Sequence, residues 1–285
     1  MHFNIGGFQK NTLIDFPGVV ASLVFTQGCN FSCPYCHNPA LIPFYPFQTD
    51  SHQTNLQKNI NTQVNKYFET NQLINVNEIF AFLKKRKGLI DGVAITGGEP
   101  TFQTGLEPFC FRLKNMGLKV KLDTNGSRPD VIENLIKREL VDFIAMDIKS
   151  NCTGYQYFVK DGEYCLPINA GSEKSKCSSE KIKYIKFDFS LILKSIKLIM
   201  KHAPDYEFRT TCIKPFISQE IMTEIGKMIK GASHYVIQHC SKNSNMLNPL
   251  FFQKNNPYPN PFFSDDELDE FKLIVEPYVE RCSIR

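Results

Sequence analysis

Three thiols fall within eight residues in the run Gly28-Cys29-Asn30-Phe31-Ser32-Cys33-Pro34-Tyr35-Cys36-His37-Asn38, spaced C-x3-C-x2-C. Cysteine thiolates presented from one tight loop are how a protein holds a [4Fe-4S] cluster. With only three cysteines supplied locally, the fourth iron is either ligated from afar or left open to a substrate or cofactor. The competing chemistry is a structural zinc site. Zinc usually takes four ligands in a closed tetrahedron, often as two C-x2-C pairs, and His37 is the only local candidate for a fourth. The x3 gap followed by an x2 gap favours the cluster, with Cys29, Cys33 and Cys36 as its ligands.

Further candidate residues stand where short apolar runs end. Gly97-Gly98-Glu99-Pro100 follows one such run, and its glycines let backbone approach a ligand closely. Glu99 offers a carboxylate to an ammonium group. Asp123-Thr124-Asn125-Gly126 closes the next run and doubles as an Asx-type turn. Asp147 and Lys149 are two residues apart, so on a strand they face one side. They are suited to ribose hydroxyls and a carboxylate, or to a plain ion pair. Arg209 interrupts an apolar strand and needs an anionic partner there. His239 ends the last such run and is read as an adenine or substrate contact, or as a structural histidine.

The motifs resemble those of the radical S-adenosylmethionine (SAM) enzymes. Tyr35 fills the family's aromatic slot before the last cluster cysteine, and Thr96–Pro100 matches its second signature. The opening Gly6-Gly7-Phe8-Gln9-Lys10-Asn11-Thr12-Leu13-Ile14-Asp15-Phe16-Pro17-Gly18 resembles the glycyl-radical-enzyme activases, those of anaerobic ribonucleoside-triphosphate reductase above all. Asp123–Gly126 and Asp147-Ile148-Lys149 match runs in the same activases. The resemblance implies an open iron that chelates SAM by its amino and carboxylate groups. It also implies one-electron cleavage to methionine and a 5'-deoxyadenosyl radical. Glu99, with Gly97 and Gly98, then meets the SAM amino group. Asn38 resembles a SAM-contacting position, and His37 is a contact to cluster or adenine. Tyr35, Asp123, Asn125, Asp147, Lys149, Arg209 and His239 complete the expected cofactor site.

Alternating patterns predict the elements that position these residues. Strands are expected at Val19–Thr26, Gly92–Thr96, Leu118–Asp123, Val141–Asp147, Tyr206–Ile213 and His234–His239. Helices are expected at Asn77–Lys87, Leu106–Met116, Pro129–Arg138, Phe189–His202 and Gln219–Lys230. Strand and helix in alternation imply a parallel sheet with helices outside. Six βα units fall short of a closed eight-fold barrel. The fold class is α/β, an open partial (βα)6 barrel, with the candidate residues at the carboxyl ends of its strands. A single domain over 1–285 is expected, interrupted twice. More than half of residues 48–75 are Asn, Gln or Thr, which reads as an inserted polar loop. Residues 150–186 read as a second insertion, whose Cys152, Cys165 and Cys177 are too widely spaced for another cluster. Residues 255–285 read as a C-terminal extension with a last helix opened by the capping box Ser264-Asp265-Asp266-Glu267.

The chain has 285 residues, 42% hydrophobic, with a net charge of +4. That supports a sizeable core and is too mild a charge to imply nucleic acid. Lys84-Lys85-Arg86-Lys87 reads as a solvated helix end that complements the helix dipole. No apolar run approaches the ~18 residues of a membrane span, and no signal peptide is read. Ten cysteines without a secretory leader point to metal or free thiols in a reducing, cytoplasmic setting, and an oxygen-labile cluster would also need low oxygen. The expected function is that of a radical SAM activase placing a glycyl radical on a partner enzyme. Anaerobic ribonucleoside-triphosphate reductase is the first candidate partner, a pyruvate formate-lyase type enzyme the next. A reduced flavodoxin- or ferredoxin-type protein would supply the electron. The alternatives are a radical SAM enzyme acting on a small molecule or RNA, and a non-enzymatic, metal-stapled binding module.

Overall fold

The computed structural model describes residues 3–42, 73–159, 163–166, 183–241, 247 and 260–285. Ten strands and six α-helices are found among them, each strand interval closing where the pattern of the sequence changes. β1 (Ile5–Thr12), β2 (Ala21–Thr26), β3 (Gly92–Gly97), β4 (Lys119–Thr124) and β5 (Phe143–Asp147) come first. β6 (Glu163–Leu166) and β7 (Lys183–Lys186) pair with each other. β8 (Tyr206–Cys212), β9 (Tyr235–His239) and β10 (Cys282–Ile284) complete the main sheet. The helices are α1 (Val76–Lys85), α2 (Leu106–Asn115), α3 (Pro129–Lys137), α4 (Ser190–His202), α5 (Gln219–Met228) and α6 (Asp265–Val275).

The main sheet runs β1-β2-β3-β4-β5-β8-β9-β10. β1 lies antiparallel to β2, and every later pair is parallel. Strands that follow one another in sequence are neighbours in space. Right-handed crossovers then carry every helix to the same face. That face holds the main core, in which Val93, Ile95, Val120, Leu122, Ile144, Met146, Phe208 and Ile237 meet the buried sides of the helices. The opposite face carries the alternate residues of the same strands. Small and charged residues are prominent among them: Gly92, Ala94, Lys121, Asp123, Ala145, Asp147 and Arg209.

The inner face is also curved. Phe16 and Val19, in the β1–β2 loop, share a second small core with Ala21 on β2 and Phe143 and Ala145 on β5. A flat sheet would hold β2 and β5 about 14 Å apart. The Phe16 ring, carried by the loop that leads into β2, lies 6.2 Å from the Phe143 ring of β5, so the loop reaches across and plugs the amino-terminal end of an open partial barrel.

Three features depart from the sequence pattern. β1 was not expected as a strand, because its glycines break the apolar alternation. The C-terminal extension adds a strand to the sheet: α6 leads back to β10 beside β9. Its helix begins with the expected capping box of Ser264 and Glu267. The second insertion starts as packed structure, since a 3-10 turn over Gly154–Tyr157 buries Tyr155, and Phe158 follows it into the core. Cys152 there is free and exposed. Cys165 lies on β6, while Cys177 and residues 48–72 of the polar loop lie outside the described residues. Among the described residues no helix is long and apolar enough to cross a membrane.

A candidate metal centre at the strand carboxyl ends

The cysteine loop leaves β2 through Gly28, whose φ of 99° is a left-handed value that favours glycine. Backbone hydrogen bonds pin both ends. Gly28 N donates to Leu41 O at 2.6 Å, Cys29 N to Ile42 O at 3.1 Å, and Ser32 N to Phe158 O at 2.8 Å. Phe31 and Tyr35 are buried and anchor the loop in an aromatic cluster. Phe31 meets Tyr155 edge-on, and Tyr35 meets Phe158 and Phe216. All three thiols of the loop are free and half-buried.

This loop fits an iron–sulfur cluster. Burial pushes the Cys29 thiol well up, and its neighbours' charges add to that. Burial also raises Cys33, to about 12, and Cys36. Such thiols become thiolates when cationic irons compensate the charge, with release of protons. The donor set is three soft sulfurs from one loop. The hydroxyl of Tyr35 is buried beside it with no hydrogen-bond partner among the described residues. Among the described residues, no three His, Cys, Asp or Glu side chains converge on a single ion.

The Gly-Gly-Glu run packs directly on this loop. A Cβ at Gly97 would stand 2.3 Å from Thr26 N, and one at Gly98 2.0 Å from Gly28 O. Gly98 N and Glu99 N donate to Thr26 O and Gly28 O at 2.9 and 2.8 Å. The close approach that these glycines permit in the structure is to the backbone of the cysteine loop. Glu99 is 1% exposed. Its Oε1 accepts from Thr101 N, Thr101 Oγ1 and Thr124 Oγ1 at 3.1, 2.5 and 2.7 Å. Its Oε2 accepts from Asn125 N at 2.7 Å. Burial raises the Glu99 pKa, and these donors oppose the rise.

Asn125 extends the link. Its Nδ2 donates to Asn30 Oδ1 at 3.0 Å, and Asn30 Nδ2 donates to Ser127 Oγ at 2.8 Å. Ser127 N in turn donates to Asn125 Oδ1 at 3.0 Å. Three elements are thus tied together: the cysteine loop, the Gly-Gly-Glu run and the turn after β4. Asn30 lies between the first two cysteines and Ser127 just after the Asp-Thr-Asn-Gly turn, and the spacing of those motifs singles out neither.

A chain of charges lies on the inner face. Lys121 pairs with Asp123, and Arg209 Nη1 stands 3.5 Å from Asp123 Oδ2. Arg209 Nε donates to Asp147 Oδ1 at 2.8 Å, and Lys149 Nζ to Asp147 Oδ2 at 2.9 Å. Burial works against the Asp147 carboxylate. The Arg209 and Lys149 charges outweigh it and hold the pKa well below the usual range. Burial works against both cations, but Asp147 raises Lys149, and Asp123 together with Asp147 raises Arg209. Three cations face two anions, which leaves one positive charge for an anionic group.

Three of the expected residues stand apart from this chain of charges. His37 Nε2 lies 3.4 Å from Cys240 Sγ, and burial, then Lys149, lower its pKa. Asn38 precedes the 3-10 turn Pro39–Leu41, and its backbone N–H reaches the Cys36 thiol. His239 is half-exposed and pairs with Asp265 at 3.3 Å, at the start of α6. It is not joined to the inner chain of charges.

The comparisons agree with this geometry. A protein of Methanocaldococcus jannaschii, provisionally named a glycyl-radical enzyme activating enzyme, is 29% identical over 282 residues, 99% of this chain and 95% of its own. The pyruvate formate-lyase-activating enzyme of Staphylococcus aureus is 31% identical over 144 residues, 48% of this chain and 49% of its own. The structure of TYW1 with a lysine-pyruvate adduct superposes with a TM-score of 0.51 at 12% identity, covering 94% of this chain and 78% of that one. That likeness shows the fold. The Radical SAM superfamily model matches residues 23–158, the stretch that holds the cysteine loop, Gly97–Glu99, Asp123–Asn125 and Asp147–Lys149. Over residues 23–158 the chain carries a Radical SAM domain, the mark of a family whose members use a [4Fe-4S] cluster and SAM.

Proposed function

We propose that the enzyme generates a glycyl radical on a partner protein, with anaerobic ribonucleoside-triphosphate reductase as the first candidate. The observation that carries this reading is the likeness to the Methanocaldococcus jannaschii relative along nearly the whole chain, not over the cysteine motif alone. Bound cluster and SAM would supply a one-electron reductive cleavage that yields a carbon radical. The rest falls to the protein's own residues. Cys29, Cys33 and Cys36 would hold the cluster. Gly97, Gly98 and Glu99 fix the loop against β3, and Arg209 and Lys149 favour an anionic group on the inner face. Tyr35 and the aromatic cluster exclude water from one side of the loop. The open sheet leaves room for a peptide loop, and hydrogen abstraction depends on holding the target carbon in near contact. A reduced flavodoxin- or ferredoxin-type protein would deliver the electron.

The Staphylococcus aureus likeness supports a pyruvate formate-lyase type enzyme as the second candidate partner. One experiment covers both. Reduced enzyme and SAM are incubated with each candidate carrying glycine deuterated at Cα, and radical and products are read together. A glycyl signal by electron paramagnetic resonance, with deuterium in 5'-deoxyadenosine, is expected. SAM cleavage without deuterium transfer from either partner overturns the reading and points to a small-molecule or RNA substrate.

A further inference from the structure

A second cleft lies at the opposite end of the sheet. It has a volume of about 1140 Å³ and is lined by the ends of α1 and α2, the β1–β2 loop and the starts of β3 and β4. Its floor is apolar, with Phe80, Leu83, Ile90 and Leu118. Its rim carries Lys84, Lys87, Arg112 and Lys119. Among the described residues none of these four forms an ion pair. Arg112 instead lies over the Phe80 ring at 3.7 Å, which holds its guanidinium in place. Lys114, by contrast, is spent on Asp142 at 2.6 Å.

The charge balance indicates what the cleft would take. Asp91, on the same lining, cancels one of the four cations. The carboxyl ends of α1 and α2 contribute about half a negative charge each. About two positive charges then remain, which matches a dianion such as a phosphate monoester. The volume exceeds what phosphate alone would fill and suits an organic body on the apolar floor. β3 separates this cleft from the cysteine loop by six residues, about 17 Å of strand. The cleft is therefore not a part of the metal centre.

We infer that this cleft is a binding site for a phosphorylated small molecule, held by Lys84, Lys87, Arg112 and Lys119. The inference does not depend on the proposed glycyl-radical reaction. Calorimetric titration of the cluster-loaded chain with inorganic phosphate, pyrophosphate and adenosine monophosphate tests it. Saturable one-site binding is expected, and an organic phosphate should bind more tightly than inorganic phosphate. Lys84→Ala/Lys87→Ala, and separately Arg112→Gln, should each weaken it about tenfold or more, since each removes charge-assisted contacts. Iron content and SAM cleavage should stay at their original levels in both variants. Binding that does not saturate, or that survives both variants, overturns the inference. So does tighter binding of a hexaglutamate peptide through the same residues, which would make the cleft a dock for an acidic protein segment.

Discussion

Arg209 and Asp147 are register partners on neighbouring strands, joined from Nε to Oδ1 at 2.8 Å. The pair sits in the middle of a row of charges on the inner face. Its energetics rest on the whole chain from Lys121 to Lys149, because each carboxylate touches two cations.

Removing one member therefore strands the others. Arg209→Leu leaves Asp147 and Asp123 each short of a partner in a largely buried setting, and is expected to cost about 2–4 kcal/mol. Adding Asp147→Asn should restore part of that loss, the signature of coupled sites. Urea unfolding of the three variants without cluster gives the comparison, and SAM affinity gives the functional half. Equal stabilities across the set would mean that the chain is solvated and contributes nothing.

Asn30 offers a sharper test of how the cysteine loop is held. Asn30→Ala leaves Asn125 Nδ2 and Ser127 Oγ without their buried partner, at a cost of about 1–3 kcal/mol. The cluster should still assemble, because no thiol is altered. Its iron should be lost to a chelator several-fold faster than in the unaltered chain. Unchanged release kinetics would show that the backbone bonds of Gly28 and Cys29 alone fix the loop.

Most of the fold was legible because the parallel strands are fully buried. Ile95, Leu122 and Ile144 stand in runs whose apolar character marks them without reference to distant partners. β10 was not legible in this way. Its three residues are only half-buried, and it exists because Arg285 reaches Glu207 and Arg281 reaches His234. The site was legible where chemistry demands fixed spacing, as at Cys29–Cys36. The roles of Gly98 and Glu99 were not, because a glycine that admits a ligand and one that admits the chain's own backbone look alike in sequence. Asn30 and Ser127 stand 97 residues apart, and local pattern cannot pair them.

The attachment of β10 should depend on pH through His234. Arg281 Nη2 donates to His234 Nδ1 at 3.0 Å, so the ring is neutral and Nε2–H donates to Ser283 Oγ at 2.8 Å. Burial lowers the His234 pKa, and Arg281 lowers it further. Glu207 and Asp205 pull the other way, and Arg285 adds to the lowering. The folded value lies below the unfolded one of about 6.5, so the unfolded chain binds more protons near that pH. The associated stability is present above about pH 6.5 and is lost as pH falls through the folded value. Thermal unfolding between about pH 7.5 and 5.5 should show this decline, and His234→Gln should flatten it. Parallel curves for the two proteins would assign the decline to other groups.

Glu99→Gln separates clamping from ligand binding. In the folded chain Glu99 acts as the acceptor for four donors from Thr101, Thr124 and Asn125. Glutamine has the same shape but only one acceptor oxygen. Whichever way its amide turns, an N–H group faces a donor: Asn125 N in one orientation, the threonine groups in the other. The cost expected is that of a broken buried hydrogen bond, about 1–3 kcal/mol. It should be felt through Asn125 and Asn30 as a looser cysteine loop. Both SAM affinity and cluster retention should fall together. Glu99→Ala should behave alike, since it too leaves Asn125 N unsatisfied. A residue that only met a ligand ammonium would lose SAM affinity and keep stability and iron content. Glu99→Gln with unaltered unfolding and iron release but weakened SAM binding would therefore identify the carboxylate as a direct cofactor contact.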